Sequence, residues 1–110
     1  MEIKSAITAF ASLSQETRLS VFRRLIKAGE TGLSAGALAE DLAVAPPTMS
    51  FHLKELTSAG LACFERDGRR IIYYANLDGV RALVDFLVSD CCGQRPELCG
   101  PYFTAKTTEV

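Results

Sequence analysis

The sequence predicts a mainly α-helical fold with one small β-hairpin. Apolar residues recur at helical spacing over most of the first half of the chain. An Asp67-Gly68 turn signal then separates two short runs rich in aromatic and β-branched residues, which is the strongest local sign of a hairpin. Helical spacing returns from Leu77 onward. With 110 residues, 48% of them hydrophobic and 23% charged, the chain fits one small domain.

The first two helices are predicted from periodicity and capping. Apolar side chains at helical spacing indicate a short amphipathic helix over residues 3–10. Ser14 is a suitable N-cap for a second helix, and Glu16 in its first turn is favoured by the helix dipole. Gly29 and Gly32 are expected to end that helix.

The next two helices have the spacing of a helix-turn-helix. Ser34 is placed to cap a third, shorter helix whose inward residues are Leu38 and Leu42. A fourth helix is expected to begin near Pro47, because proline suits the first helical turn, and to end at Gly60. The junction between them is a brief turn.

A two-stranded wing and a last helix complete the domain. The strands are expected at residues 61–66 and 70–75, on either side of the Asp67-Gly68 turn. The last helix is expected to begin near Leu77 and to run toward Ser89. Four helices, a hairpin and a final helix are the element order of a winged helix-turn-helix. We assign residues 1–90 to this domain and residues 91–110 to a C-terminal cysteine-containing effector segment.

Three stretches resemble the ArsR/SmtB family of repressors: residues 13–19, residues 50–61 and residues 67–74. Their order and spacing make the resemblance specific, and it spans roughly residues 5–90. It implies a homodimer joined by its first and last helices. It also implies binding to operator double-stranded DNA without a cofactor, and release by a metal or metalloid. The amount of apolar surface independently favours a dimer. One small core cannot cover both the apolar last helix and the side chains of Ile3, Ile7 and Phe10.

The fourth helix is the expected DNA-reading element. Its inner face is predicted to be apolar, and its outer face presents Ser50, Phe51, Lys54 and Ser58 to the major groove. Lys54 would neutralise a phosphate and Phe51 would contact a thymine methyl group. Thr48, in the first turn, either approaches DNA or caps the helix.

His52, the only histidine, lies beside the apolar stripe. The resemblance implies a DNA contact, whereas its position on the helix also fits a bracing role. Arg66, Arg69 and Arg70 surround the hairpin turn, where they would contact phosphates or the minor groove. A solvated charged turn is the alternative. The net charge of −1 argues against non-specific binding of polyanions but not against such a local basic surface.

The C-terminal segment gathers Cys91, Cys92 and Cys99, with turn-forming residues between the pair and the third thiol. Three soft thiolates match As(III), which takes three bonds, and Sb(III) behaves alike. Zinc prefers four ligands, while cadmium, lead and copper(I) stay open by softness. Related sensors carry ligands on the third helix or the last helix, but here the third has no thiol and the last no histidine. Cys63 stands alone in an apolar stretch and is expected to be a small buried side chain.

Two other functions for these cysteines stay open. A redox-sensing repressor would release DNA on oxidation of Cys91 or Cys92. A thiol enzyme is the more remote alternative, since the chain has no Cys-x-x-Cys motif and we do not expect an enzyme. The start of the chain lacks the features of a secretion signal, and no apolar run is long enough to span a bilayer. We therefore expect a cytoplasmic protein.

Overall fold

The computed structural model describes residues 1–89. It confirms the predicted winged helix-turn-helix architecture. The elements in chain order are helix α1 (Ile3–Leu13), helix α2 (Glu16–Ala28), a 3-10 turn (Gly29–Thr31), strand β1 (Leu33–Ser34), helix α3 (Ala35–Leu42), helix α4 (Pro46–Ser58), strand β2 (Ala62–Asp67), strand β3 (Arg70–Ala75) and helix α5 (Leu77–Val88).

Helix α4 crosses the core. Its predicted apolar face, formed by Met49, Leu53 and Leu56, is fully buried. Leu25 of α2 and Leu38 of α3 are buried in the same cluster, so both neighbouring helices close over α4. Burying a leucine side chain stabilises a fold by about 1.5–3 kcal/mol. Helix α4 is therefore held by its inner face, while the side chains of its outer face, such as the 54% exposed Phe51, stay exposed among residues 1–89.

The turn between α3 and α4 is defined by short-range hydrogen bonds. Ala43 adopts a left-handed conformation with φ 53°, and its N–H donates to the carbonyls of Ala39 and Glu40. Ala45 is extended with ψ 140°, as expected of a residue that precedes a proline. Helix α4 then begins at Pro46, one residue before the predicted start.

The wing contains a strand that periodicity did not predict. The sheet order is β1-β3-β2, and β1 pairs antiparallel with β3 through Leu33↔Tyr73 and Ser34↔Ile72. A strand of two residues shows no measurable period, so only its pairing identifies it. The predicted hairpin is confirmed: β2 and β3 pair from Ala62↔Ala75 to Asp67↔Arg70, and Gly68 takes φ 65° in the turn.

Two local predictions were wrong. Ser14 is not the N-cap of α2; its hydroxyl donates to the carbonyl of Ala11 at 2.8 Å, because the residue still belongs to the end of α1. Gln15 caps α2 instead, and its Oε1 accepts from the Arg18 N–H at 2.8 Å. Cys63 is exposed and not buried. It lies on β2, an edge strand of the sheet, in which only Ala62 is buried.

Helix α5 is joined to the end of α4. Gly60 terminates α4 with φ 80°, and the side chain of Asn76 donates from Nδ2 to the Gly60 carbonyl at 3.0 Å. The backbone N–H of Asn76 donates to the carbonyl of Leu61 at 3.0 Å. Gly79 packs so closely on Gly60 that a Cβ at this position would overlap its carbonyl oxygen. The start of α5 is thus bonded directly to the residues that follow α4.

Large apolar side chains remain on the surface of the first helix. Ile3 is 64% exposed, Ile7 60% and Phe10 41%, and the three residues share one face of α1. Leu87 of α5 is also exposed. Within residues 1–89, none of the helices has the length and apolar character needed to cross a membrane.

Candidate DNA-binding surface

The outer face of α4 presents the side chains predicted to read DNA. Thr48, Ser50, Phe51, Lys54 and Ser58 are all exposed. Thr48 does not cap the helix, because the N-cap is Ala45 and no side chain bonds to that turn. The face therefore combines two hydroxyls near the helix start, one ammonium group and a 54% exposed aromatic ring. Such a face can bond base edges and phosphates and can contact a thymine methyl group.

His52 is turned away from this exposed face. It is only 8% exposed, and its Nδ1 lies 3.3 Å from Nη1 of Arg18 on α2. Burial, followed by the charge of Arg18, lowers the pKa of His52 below its ordinary value. The structure thus separates His52 from the exposed residues of α4 and favours the bracing role over a DNA contact.

The three wing arginines are exposed around the hairpin turn. Arg66 and Arg70 lie at the ends of β2 and β3, and Arg69 follows Gly68 in the two-residue turn between the strands. In the part of the chain that the structure describes, no carboxylate forms a salt bridge with any of these guanidinium groups. Their charge is therefore available to a polyanion at the tip of the wing.

Arg18 is a functional candidate that sequence reasoning missed. It belongs to the first of the motifs that resemble the ArsR/SmtB family, yet the sequence assigned it no role. The available signal was a cation on the same side of α2 as Val21 and Leu25, which are both fully buried. A charge in that position needs a hydrogen-bonding partner inside the fold.

The predicted metal ligands Cys91, Cys92 and Cys99 lie outside the described residues. Among residues 1–89, no group of three or more His, Cys, Asp or Glu side chains is arranged to hold a metal ion.

Comparison with known proteins identifies the family. Residues 13–62 match the family model of a helix-turn-helix domain. The HTH-type transcriptional regulator Rv2034 of Mycobacterium tuberculosis is 36% identical over 80 residues, which cover 73% of this chain and 72% of that relative. An ArsR-like transcriptional regulator from Rhodococcus sp. RHA1 superposes with a TM-score of 0.66 at 25% identity, covering 96% of this chain and 89% of the other. The chain belongs to the ArsR family of winged helix-turn-helix transcriptional regulators.

A further solved structure shares the ArsR-family fold. The homodimeric winged helix-turn-helix DNA-binding domain Mb0332 from Mycobacterium bovis superposes with a TM-score of 0.65 at 24% identity, covering 80% of this chain and 82% of the other. In the present ArsR-family protein, α3 and α4 form the DNA-binding helix-turn-helix, and β2 and β3 form the wing.

Proposed function

We propose that this ArsR-family regulator is a repressor that binds operator DNA as a homodimer and is released when As(III) or Sb(III) binds Cys91, Cys92 and Cys99. The observation that carries the proposal is the placement of the thiols. All three lie within nine residues, and the first follows the end of α5 at Val88 by three positions.

The DNA contacts are divided between α4 and the wing. Thr48 and Ser50 donate to bases or phosphates in the major groove, and Phe51 contacts a thymine methyl group. Lys54 neutralises a phosphate. Arg66, Arg69 and Arg70 hold the wing on the sugar-phosphate backbone, which positions the protein without specifying sequence.

The dimer interface is formed by the apolar faces that residues 1–89 leave exposed. On α1, the side chains of Ile3, Ile7 and Phe10 follow one another at helical spacing and stay 41–64% exposed among residues 1–89. Leu87 provides a comparable apolar side chain on α5. A contiguous apolar surface of this kind marks a protein interface, and two copies in symmetric contact would bury it.

The donor set of the C-terminal segment suits a trivalent metalloid. As(III) forms three bonds and keeps a lone pair, and thiolates are the ligands that soft ions prefer. Three thiolates balance its formal charge, so the assembled centre is neutral and carries little desolvation cost beside an apolar helix. Sb(III) has the same valence and is expected to bind in the same way.

The bonded junction between α5 and α4 supports the coupling step. Asn76 holds the start of α5 to Gly60 at the end of the recognition helix. Movement of α5 is therefore transmitted to α4 without a flexible linker. Binding of the ion draws Cys99 back to the Cys91–Cys92 pair, changes the end of α5 and alters the distance between the two α4 helices of the dimer.

Release of DNA by arsenite tests the proposal. A labelled duplex obtained by in vitro selection on the purified protein is titrated by fluorescence anisotropy, under anaerobic conditions, with arsenite and then antimonite. We expect release from the wild type and a loss of the response in Cys91→Ser, Cys92→Ser and Cys99→Ser. Cys63→Ser is the matched control, because Cys63 is an exposed thiol on β2 and should not affect the response.

The other functions give different outcomes in the same assay. Release by peroxide that a reductant reverses, with no response to arsenite, would identify a redox sensor. Release by cadmium, lead or copper(I) alone would identify a different soft-ion sensor. A persistent arsenite response in all three cysteine variants contradicts the assignment. Because coupling is reciprocal, operator DNA must also weaken arsenite binding by the factor by which arsenite weakens DNA binding.

A further inference from the structure

Two of the sequence motifs meet in the structure at one contact. Arg18 comes from the motif at residues 13–19 and His52 from the motif at residues 50–61. Although they are 34 positions apart, Arg18 Nη1 lies 3.3 Å from His52 Nδ1. The Arg18 Nε–H donates to the backbone carbonyl of Ser12 at 2.7 Å. One guanidinium group on α2 therefore bonds both the end of α1 and the recognition helix α4.

The chemistry of the contact fixes the state of the histidine. A guanidinium group carries only donors, so His52 Nδ1 must offer a lone pair to Arg18. The ring is then neutral, with its proton on Nε2. Protonation of Nδ1 would remove the acceptor and would place two cations in contact.

Helices α1, α2 and α4 all contribute groups around the contact between Arg18 and His52. Ser12 is 7% exposed, and its hydroxyl already donates to the Ala9 carbonyl at 2.8 Å. The adjoining cavity is lined from α1 by uncharged residues, from α2 by Arg18 and from α4 by Glu55 and Ser58. Arg18 and Glu55 are the charged groups that line this cavity, and Arg18 is the one in contact with His52.

We propose that Arg18 is a positioning residue of the DNA-binding function: by donating to neutral His52 it fixes the rotation of α4 against α1 and α2, and protonation of His52 releases that constraint and weakens DNA binding. The proposal rests on the DNA-binding function of the family and does not require the arsenite response. A failed arsenite assay therefore leaves it untouched.

The pH dependence has a defined sign. Burial and then Arg18 lower the pKa of His52, so the ring is neutral at pH 7.5 and gains its proton only below the ordinary value of about 6.5. At pH values between the lowered pKa of the folded state and the ordinary pKa of the unfolded state, His52 binds a proton in the unfolded chain but not in the folded chain. The folding stability and the DNA affinity that this hydrogen bond contributes are therefore present above pH 6.5, and both decline as the pH falls through the lowered pKa.

Direct observation of the ring is the first test. The chain has a single histidine, so its imidazole ¹⁵N signals are unambiguous. We expect the Nε2–H tautomer at pH 7.5 and a pKa below the ordinary value, which rises toward that value in Arg18→Gln. An Nδ1–H tautomer, or a pKa that does not respond to Arg18→Gln, would overturn the proposal.

Two amide substitutions distinguish bracing from DNA contact. Asparagine places its oxygen where Nδ1 lies, and it does not titrate. His52→Asn is therefore expected to retain DNA affinity within about threefold at pH 7.5 and to lose the fall in affinity at acidic pH. His52→Gln places its oxygen near Nε2 instead and is expected to weaken binding by about tenfold, the loss of a hydrogen bond to a charged group. The reverse order of the two variants would show that His52 contacts DNA through Nε2.

Arg18 variants complete the test. Arg18→Gln is expected to weaken DNA binding by about tenfold with an unchanged salt dependence, because its charge does not touch phosphate. A salt slope lower by about 1 would instead identify a phosphate contact and contradict the proposal. Arg23→Gln is the matched control, since Arg23 is an exposed arginine of the same helix. Each variant is compared at a temperature where circular dichroism shows it to be folded, so that loss of the fold is not mistaken for loss of positioning.

Discussion

Helices α1 and α4 use amphipathic sequences in opposite ways. Helix α4 has 13 residues and buries its large apolar side chains, including Met49 and Leu53, in the core of its own chain. Helix α1 has 11 residues and buries the small residues Ala6, Ala9 and Ser12. Its large apolar side chains, such as Ile7, point away from that core.

This difference shows that the most apolar face of a helix need not face its own core. The alanines of α1 let its backbone approach α2 and α4 closely, and its larger side chains remain available to a second surface. Helix α4 instead satisfies its apolar face within the monomer, which leaves its polar face for DNA. Under the proposed function, α1 serves dimer assembly and α4 serves DNA reading, and substitutions on the two helices should separate these roles.

The largest expected effect is from removal of a core side chain of α4. Leu53→Ala should lower the free energy of unfolding by about 2–5 kcal/mol, because Leu53 is fully buried and the truncation leaves a cavity. Urea denaturation followed by circular dichroism measures the change. Lys54→Ala is the control on the same helix and should stay within about 0.5 kcal/mol of the wild type. A decrease below about 1 kcal/mol for Leu53→Ala would mean that α4 is not held by this face.

A substitution in the exposed apolar face of α1 is expected to weaken dimer assembly clearly while affecting folding less. Ile7→Glu should raise the dimer dissociation constant by at least about 30-fold, as for removal of an interface hot spot, while the helical content stays near that of the wild type. Sedimentation equilibrium measures the constant. Lys4→Glu adds an acidic group to α1 outside the apolar stripe and is the control. An unchanged constant for Ile7→Glu would exclude this face from the dimer interface.

The comparison also shows which parts of the fold the sequence could predict. Periodicity and the residues that start and end helices identified all five helices and the hairpin, because these signals are local. Strand β1 was missed, since Leu33 and Ser34 become a strand only by pairing with β3. Cys63 was expected to be buried because an apolar run does not show which strand lies at the edge of the sheet.

In the candidate site, too, the sequence predicted what depends on local geometry but not the contacts between separate elements. The exposed residues of α4 follow from helical geometry once the inner face is known, and the wing arginines follow from the turn. The position of His52 beside the apolar stripe left two roles open, and only its contact with Arg18 distinguishes them. That partner lies on another helix, so the local pattern of α2 could mark Arg18 as needing a partner but could not show that the partner is His52. The junction of Asn76 with Gly60 has the same non-local origin.

The smallest expected effect concerns the wing, which in the proposed function contributes charge to DNA binding but does not read bases. Arg69→Ala combined with Arg70→Ala should weaken binding to all duplexes alike and lower the slope of log affinity against log salt by about 2, one for each phosphate that is no longer neutralised. Anisotropy titrations at several salt concentrations, with selected and unrelated duplexes, measure both quantities. The control is Arg23→Ala combined with Lys27→Ala, which removes the same charge from the exposed face of α2. If both double variants change the slope equally, the wing acts only through net charge; if only the wing variant does, its arginines contact the backbone, and the reading of bases remains with α4.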